Sequence, residues 1–113
     1  MNENSQKYAK IVFMNTKQEI LDFLHDNYNY ITQEFHLTKV GLFGSFARDE
    51  QTKESDVDLL VEMEDGVQNV HDLKVSLKEY LSEAFERSVD IAREKYLKPY
   101  AKELILEDTI YVR

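Results

Sequence analysis

The spacing of apolar residues along the chain predicts three helices. Over residues 16–35, apolar side chains recur every three or four positions, and Thr16 and Glu19 stand at the spacing of a capping box. A similar pattern over residues 70–86 predicts an amphipathic helix. The only proline, Pro99, suits the first turn of a third helix. The apolar face of that helix consists of Tyr100, Ala101, Leu104 and Ile105.

Short apolar runs between these helices predict the strands. Residues 39–43 form a run that ends at Gly44, which fits a buried strand entering a tight turn. Residues 57–61 form a second run, before an acidic turn in which Gly66 can adopt a positive φ. Two further short strands are predicted at residues 88–92 and 109–112.

The order of these elements predicts the fold class. Helices and strands alternate without an internal repeat or a linker, which favours a single α/β or α+β domain over residues 1–113. In such a domain a short mixed β-sheet is flanked by helices. Residues 1–15 are ambiguous, because the apolar stretch at residues 11–14 suits a core strand or an interface arm, and the polar residues before it suit a flexible arm.

Composition narrows the function classes. The chain has 113 residues and no cysteine, which excludes disulfides, thiolate metal sites and a cysteine nucleophile and makes the cytoplasm the expected compartment. No apolar run approaches the length of a membrane span. The formal net charge of −8 disfavours nonspecific binding to nucleic acid. It does not exclude a nucleotide substrate, because divalent cations can offset the repulsion between acidic side chains and a triphosphate.

Two carboxylates at the start of the second strand form a candidate metal site. Asp56 and Asp58 are separated by one residue, so both side chains emerge on the same face of the strand. Their repulsion costs on the order of 1 to 4 kcal/mol, so a compensating cation is expected. Hard oxygen ligands select Mg²⁺, with Mn²⁺ as an alternative. Taken alone, the pair also fits a chance arrangement in an acidic protein.

The turn after the first strand is a candidate phosphate site. Gly44 lacks the Cβ that would hold a ligand away, and the Ser45 hydroxyl adds a donor to the backbone N–H groups at the start of a short helix. A plain tight turn is the alternative for this pair considered alone.

A third acid, Asp90, lies between two apolar neighbours in the third strand. If that strand lies beside residues 57–61, Asp90 can join the other two acids and deprotonate an attacking hydroxyl. Alternatively, the strand is an edge strand and Asp90 faces water.

These motifs together resemble a known signature. Leu42-Phe43-Gly44-Ser45, then ten residues, then Asp56-Val57-Asp58-Leu59 resembles the signature of the polymerase-β-like nucleotidyltransferase superfamily. The chain is most similar to its minimal nucleotidyltransferases, which consist of little more than the catalytic domain. The resemblance extends through Ser88-Val89-Asp90-Ile91 and the final helix to nearly the whole chain.

The resemblance implies a role for each site residue. In the family the Gly-Ser turn, here Gly44-Ser45, holds the nucleotide triphosphate. The acids that correspond to Asp56 and Asp58 bind two divalent ions, and the later strand acid, here Asp90, is a metal ligand or a base. Arg48 matches the frequent Ala-Arg after the turn, which implies a phosphate contact. At the next position, Asp49 stands where relatives usually have glycine.

The resemblance also implies a function. Minimal nucleotidyltransferases are commonly paired with small helical HEPN proteins as antitoxin and toxin, and some transfer AMP from ATP to a tyrosine of the toxin. Because the chain leaves no room for an acceptor-binding domain, the acceptor is expected on a partner protein. The alternatives are a binding antitoxin without catalysis, and nucleotidyl transfer to a small molecule or an RNA end. The sequence is compatible with a homo-oligomer.

Overall fold

The computed structural model of the chain describes residues 14–113, so the question of an arm or strand before Met14 lies outside the described residues. The helices are α1 (Lys17–Asp26), α2 (Tyr28–Glu34), α3 (Gly44–Ala47), α4 (Val70–Phe85) and α5 (Pro99–Asp108). The strands are β1 (Leu37–Phe43), β2 (Val57–Met63), β3 (Val89–Arg93) and β4 (Ile110–Tyr111). A 3₁₀ turn, Glu94–Tyr96, follows β3. In this part of the chain no helix combines the length and apolarity needed to cross a bilayer.

The four strands form one mixed sheet in the order β3-β2-β1-β4. Strand β1 is antiparallel to both β2 and β4, whereas β2 and β3 run parallel. The parallel pair needs a crossover, and α4 supplies it. The fold is therefore a small α+β domain in which helices flank a short mixed sheet, and the predicted fold class is confirmed.

The hydrophobic core lies on one face of the sheet. Side chains alternate along each strand, so Leu42, Leu59 and Ile91 share the face that packs against α1, α2 and α4. The helices contribute Ile20, Leu24, Ile31, Leu77, Leu81 and Phe85 to this cluster. The opposite face carries Phe43, Asp58 and Asp90, and the candidate chemistry is therefore separated from the core by the thickness of the sheet.

The predicted helix over residues 16–35 is wrong in one respect, because the structure divides it into α1 and α2 at Asn27. The Asn27 backbone has φ −107° and ψ 14°, and its side-chain amide donates to the Phe23 carbonyl at 2.9 Å. An asparagine side chain competes in this way for carbonyls that the helix would use. The predicted capping box is confirmed, since Thr16 Oγ1 accepts from the Glu19 backbone N–H at 3.1 Å.

Candidate active site

The turn at Gly44 brings the end of β1 against β2. Gly44 has φ +75°, in the left-handed region that glycine adopts at little cost. A Cβ at this position would overlap Asp58 Oδ2 and lie 3.0 Å from Asp58 Cγ. Phe46 and Ala47 follow the turn in α3 and are buried in the core cluster, which anchors the turn to the core. Backbone conformation and close approach to a carboxylate therefore both require glycine here, and Ser45 follows directly beside it.

Asp58 and Asp90 face each other on adjacent strands. They are register partners in the parallel pair of β2 and β3, and Phe43 is the partner of Asp58 on β1. Asp58 is partly buried, whereas Asp90 and Asp56 are exposed, with Asp56 directly before β2. Both alternatives for Asp90 hold at once, because β3 is an edge strand and Asp90 still lies beside Asp58.

The carboxylates influence one another electrostatically. The pKa of Asp58 is raised from its usual 3.8 to about 6, chiefly by burial and also by the negative charges of Asp90 and Asp56, against an opposing effect of Arg48. The cluster therefore carries negative charge that the protein only partly compensates. Such a site favours a cation.

The donor set is chemically suited to a divalent metal. Asp56, Asp58 and Asp90 offer only carboxylate oxygens, which Mg²⁺ and Mn²⁺ prefer. Within residues 14–113, however, no group of three or more His, Cys, Asp or Glu side chains is arranged to hold a metal ion as it stands. The raised pKa of Asp58 fits a site whose negative charge a cation would neutralise, and the contact between Gly44 and Asp58 fixes where that carboxylate lies. The assignment of the three acids as ligands stays a prediction.

Arg48 is engaged in ion pairs. It follows α3, and its guanidinium donates to Glu50 Oε1 at 3.0 Å and to Asp108 Oδ2 at 2.9 Å, which raises its pKa. The next residue, Asp49, has φ +58°. Glycine adopts this left-handed conformation at a lower cost than aspartate does. A phosphate contact by Arg48 would compete with two carboxylates.

Arg87 is a positioning residue that the sequence analysis missed. Its guanidinium packs over the Phe46 ring, 5.1 Å from the ring centroid. It also donates to a set of acceptors in two segments, namely the carbonyls of Met14, Thr52, Lys53 and Ser55 and the side-chain oxygen of Asn15, at 2.8 to 3.3 Å. Arg87 thus braces the loop that leads into Asp56. Since most of these partners are backbone carbonyls, no residue pattern in the sequence could have indicated them.

Comparison with known proteins places the chain in a family. Residues 17–112 match the nucleotidyltransferase domain family. The chain is 36% identical over 100 residues to a candidate protein adenylyltransferase of Methanocaldococcus jannaschii, MJ1379, a match that covers 88% of this chain and all of the relative. It is 32% identical over 100 residues to protein adenylyltransferase MntA of Thermococcus cleftensis, a match that covers 88% of this chain and 98% of the relative.

A solved structure shares the fold. It contains the tri-AMPylated HEPN toxin of Shewanella oneidensis in complex with an MNT antitoxin. The TM-score is 0.56 at 16% identity, over 80% of this chain and 70% of the other. At this identity the likeness concerns architecture alone. The family match and the two relatives establish family membership as well as architecture. The chain belongs to the nucleotidyltransferase domain family, as a minimal nucleotidyltransferase, and is an enzyme of that class.

Proposed function

We propose that this protein transfers AMP from ATP to a tyrosine hydroxyl of a HEPN-family toxin and thereby acts as its antitoxin. The observation that carries the proposal is the placement of the Gly44 turn, Asp58 and Asp90 at the ends of three adjacent strands. This row provides a phosphate site, a metal site and a proton acceptor side by side. The protein adenylyltransferase relatives support AMP as the transferred group.

The donor nucleotide binds at the β1 end of the row. The Gly44 turn holds the triphosphate, and the Ser45 hydroxyl donates a hydrogen bond to it. Asp56 and Asp58 would hold two Mg²⁺ ions, with Mn²⁺ as a substitute, and Asp90 would share one of them. When bound, the ions neutralise the triphosphate and the departing pyrophosphate.

The acceptor hydroxyl arrives at the β3 end. Asp90 is exposed and lies across from Asp58, so it can take the proton of an incoming hydroxyl. The acceptor oxygen then forms a bond to the α-phosphorus of ATP, while the bond between the α-phosphorus and the bridging oxygen breaks and pyrophosphate leaves. Positioning and charge neutralisation dominate such a reaction.

The partner is inferred from the comparison with the S. oneidensis complex. That HEPN toxin carries AMP and is bound to an MNT antitoxin. By analogy, the acceptor of this enzyme is a HEPN protein that presents a tyrosine to Asp90.

The experiment measures rescue of growth in cells that express the cognate toxin. Wild-type antitoxin is expected to restore growth, and the double variant Asp56→Asn, Asp58→Asn is expected not to, although it still folds. A matched variant, Asp65→Asn with Glu64→Gln on the exposed turn after β2, removes the same charge and should rescue fully. Rescue by the Asp56, Asp58 variant would instead favour an antitoxin that acts by binding without catalysis.

A further inference from the structure

A groove runs along the free edge of the sheet, between β3 and the first half of α4. It consists of two adjoining cavities of about 460 and 450 Å³. His71 and Lys74 line both cavities, so the two form one continuous surface. We define the β3–α4 groove by six of its lining residues, His71, Lys74, Lys78, Asp90, Ile91 and Arg93. The groove therefore follows β3 from its second residue to its last.

The backbone of β3 is open on the side of the groove. β3 is an edge strand whose neighbour in the sheet is β2. The Ser88 carbonyl accepts from the Val57 N–H at 2.9 Å, so the amide groups of residues 88, 90 and 92 face β2. Because these groups alternate in direction along a strand, both amide groups of Ile91 and the N–H of Arg93 face outward. In the described part of the chain, none of these three groups has a backbone partner.

An open strand edge is a template for another strand. Proteins commonly bind an extended peptide by adding it to such an edge, where main-chain hydrogen bonds provide affinity and side-chain contacts provide specificity. β3 has five residues. A strand of that length spans about 17 Å, so the edge can pair with a peptide of about five residues.

The α4 wall of the groove is cationic. Lys74 and Lys78 are one turn apart on α4, so their side chains share one helix face. Neither of them has a carboxylate within ion-pair distance among residues 14–113. Val75, which also lines the groove, is 42% exposed and offers an apolar contact. In a chain of net charge −8, these two ammonium groups form a local site for anionic side chains.

Charge decides between the possible occupants of the groove. Two copies of this chain paired through β3 would bring Lys74 and Lys78 of both copies together, and these like charges would repel. A nucleic acid could pair with the lysines, but its backbone has no alternating N–H and C=O groups for the strand edge. An extended acidic segment of a protein matches both walls, because its backbone pairs with β3 and its carboxylates pair with the lysines.

We propose that the β3–α4 groove binds an extended, acidic segment of the acceptor protein as an added strand of the sheet. Carboxylates of that segment pair with Lys74 and Lys78, and its tyrosine hydroxyl lies at Asp90. The inference rests on the proposed function and deepens it, because it specifies the kind of segment that presents the tyrosine.

The two faces of the sheet fix the spacing within this segment. α4 packs on the core face, whereas Asp90 points from the opposite face. Side chains of an added strand alternate between these faces. The acidic residues that meet α4 are therefore separated from the tyrosine that meets Asp90 by an odd number of positions.

Binding tests the groove without any transfer. The probe is an end-blocked synthetic heptapeptide, Tyr-Glu-Thr-Glu-Thr-Glu-Thr, titrated by NMR against the full chain with neither ATP nor metal present. Lys74→Gln with Lys78→Gln is expected to weaken binding about tenfold or more, since two charge contacts are lost. The matched control, Lys98→Gln with Lys102→Gln on exposed residues at the start of α5, should change binding less than about twofold.

Hydrogen exchange tests whether the peptide adds a strand. At saturating peptide, exchange of the Ile91 and Arg93 amides should slow about tenfold or more, because both would donate to the peptide. The amides of Asp90 and Ala92 face β2 and should change much less.

Four results would overturn the inference. These are no saturable binding to the wild-type protein, equal weakening in both lysine pairs, peptide binding that leaves exchange at Ile91 and Arg93 unchanged, and slow exchange at these amides that accompanies dimerisation without peptide. The third result would mean that side chains alone hold the peptide. The fourth would assign the strand edge to a second copy of this chain.

Steady-state transfer separates the groove from the proposed function. With the cognate acceptor as substrate, Lys74→Gln with Lys78→Gln should raise the KM for the acceptor about tenfold and change kcat less than about twofold. The Lys98, Lys102 control should change neither. An unchanged KM, or a modified tyrosine with no acidic residue at an odd separation within about five positions, would contradict the inference. If the wild-type enzyme adds no AMP at all, the proposed function fails, while peptide binding and amide exchange still decide what the groove recognises.

Discussion

At the residue scale, the contact between Gly44 and Asp58 explains why two short motifs lie ten residues apart and still form one site. The absent Cβ at Gly44 provides the space that Asp58 occupies. The glycine is therefore needed for the position of a carboxylate as well as for the turn.

Gly44→Ala is expected to destabilise the protein more than a left-handed backbone alone explains. Gly66→Ala is the matched control, because Gly66 has a similar φ of +79° but no atom within 4 Å of its Cβ position. The control should lose about 1 to 2 kcal/mol in the free energy of unfolding, and Gly44→Ala should lose about 1 to 3 kcal/mol more. Urea denaturation measures both, and equal losses would show that Asp58 moves away without cost.

Asp58→Asn is expected to stabilise the metal-free protein at neutral pH. The pKa of Asp58 rises from 3.8 in the unfolded chain to about 6 in the folded protein, so folding favours the protonated form. The stability from this preference is fully present below 3.8 and is lost as the pH rises through about 6. In EDTA, the free energy of unfolding of Asp58→Asn should therefore exceed that of the wild type by an amount on the order of 1 kcal/mol at about pH 7.5. Near pH 4 the difference should be much smaller.

Asp65→Asn is the control for net charge, since Asp65 is exposed on the turn after β2. A gain from Asp58→Asn that does not depend on pH, or an equal gain from Asp65→Asn, would contradict the electrostatic account of the acid cluster.

At the element scale, the loop between α3 and β2 is held by one side chain. Arg87 joins three of its carbonyls to the residues before α1, and the loop delivers Asp56 to the site. Arg87 lies in the short turn between α4 and β3, so its hydrogen bonds tie this loop to the connection between those two elements.

Arg87→Lys is expected to loosen this loop while it keeps the charge. Lysine cannot reproduce the forked set of donors, so the free energy of unfolding should fall by about 1 to 3 kcal/mol. Hydrogen exchange should accelerate in the backbone amides of residues 50–56 more than in β1. The transfer rate should fall about 10- to 100-fold, mostly in kcat, because misplacement of Asp56 affects positioning. Unchanged exchange in the loop would mean that it is held in another way.

Element prediction from the sequence succeeded where local pattern and tertiary structure agree. Strands β1, β2 and β3 follow from apolar runs, and the start of α5 follows from Pro99. The break at Asn27 was missed, because a single hydrogen bond from its side chain outweighs a continuous apolar stripe. The register of Asp58 with Asp90 was only one of two alternatives, since strand pairing between distant segments leaves no local trace.

At the scale of the whole molecule, the negative net charge of the protein adds to the negative charge of the candidate active site. A protein of charge −8 places three carboxylates near one strand end, and this repulsion persists until a cation binds. Arg48 and its partners Glu50 and Asp108 add no net positive charge to offset it.

Mg²⁺ is expected to raise the thermal midpoint of unfolding of the wild-type protein, because a ligand that binds only the folded state stabilises it. The increase should grow with the Mg²⁺ concentration and return to the starting value when EDTA removes the ion. Asp58→Asn should abolish most of the increase, and Asp65→Asn should retain it. An equal increase in all three proteins would indicate a general salt effect.

The central claim is AMP transfer by the row of Gly44, Asp58 and Asp90. Its most direct test is the intact mass of the cognate HEPN protein after incubation with this enzyme, ATP and Mg²⁺. The account predicts one or more added AMP groups located on a tyrosine, none with Asp58→Asn and none in EDTA. An acceptor that stays unmodified with the wild-type enzyme, or that is modified equally by Asp58→Asn, would contradict it.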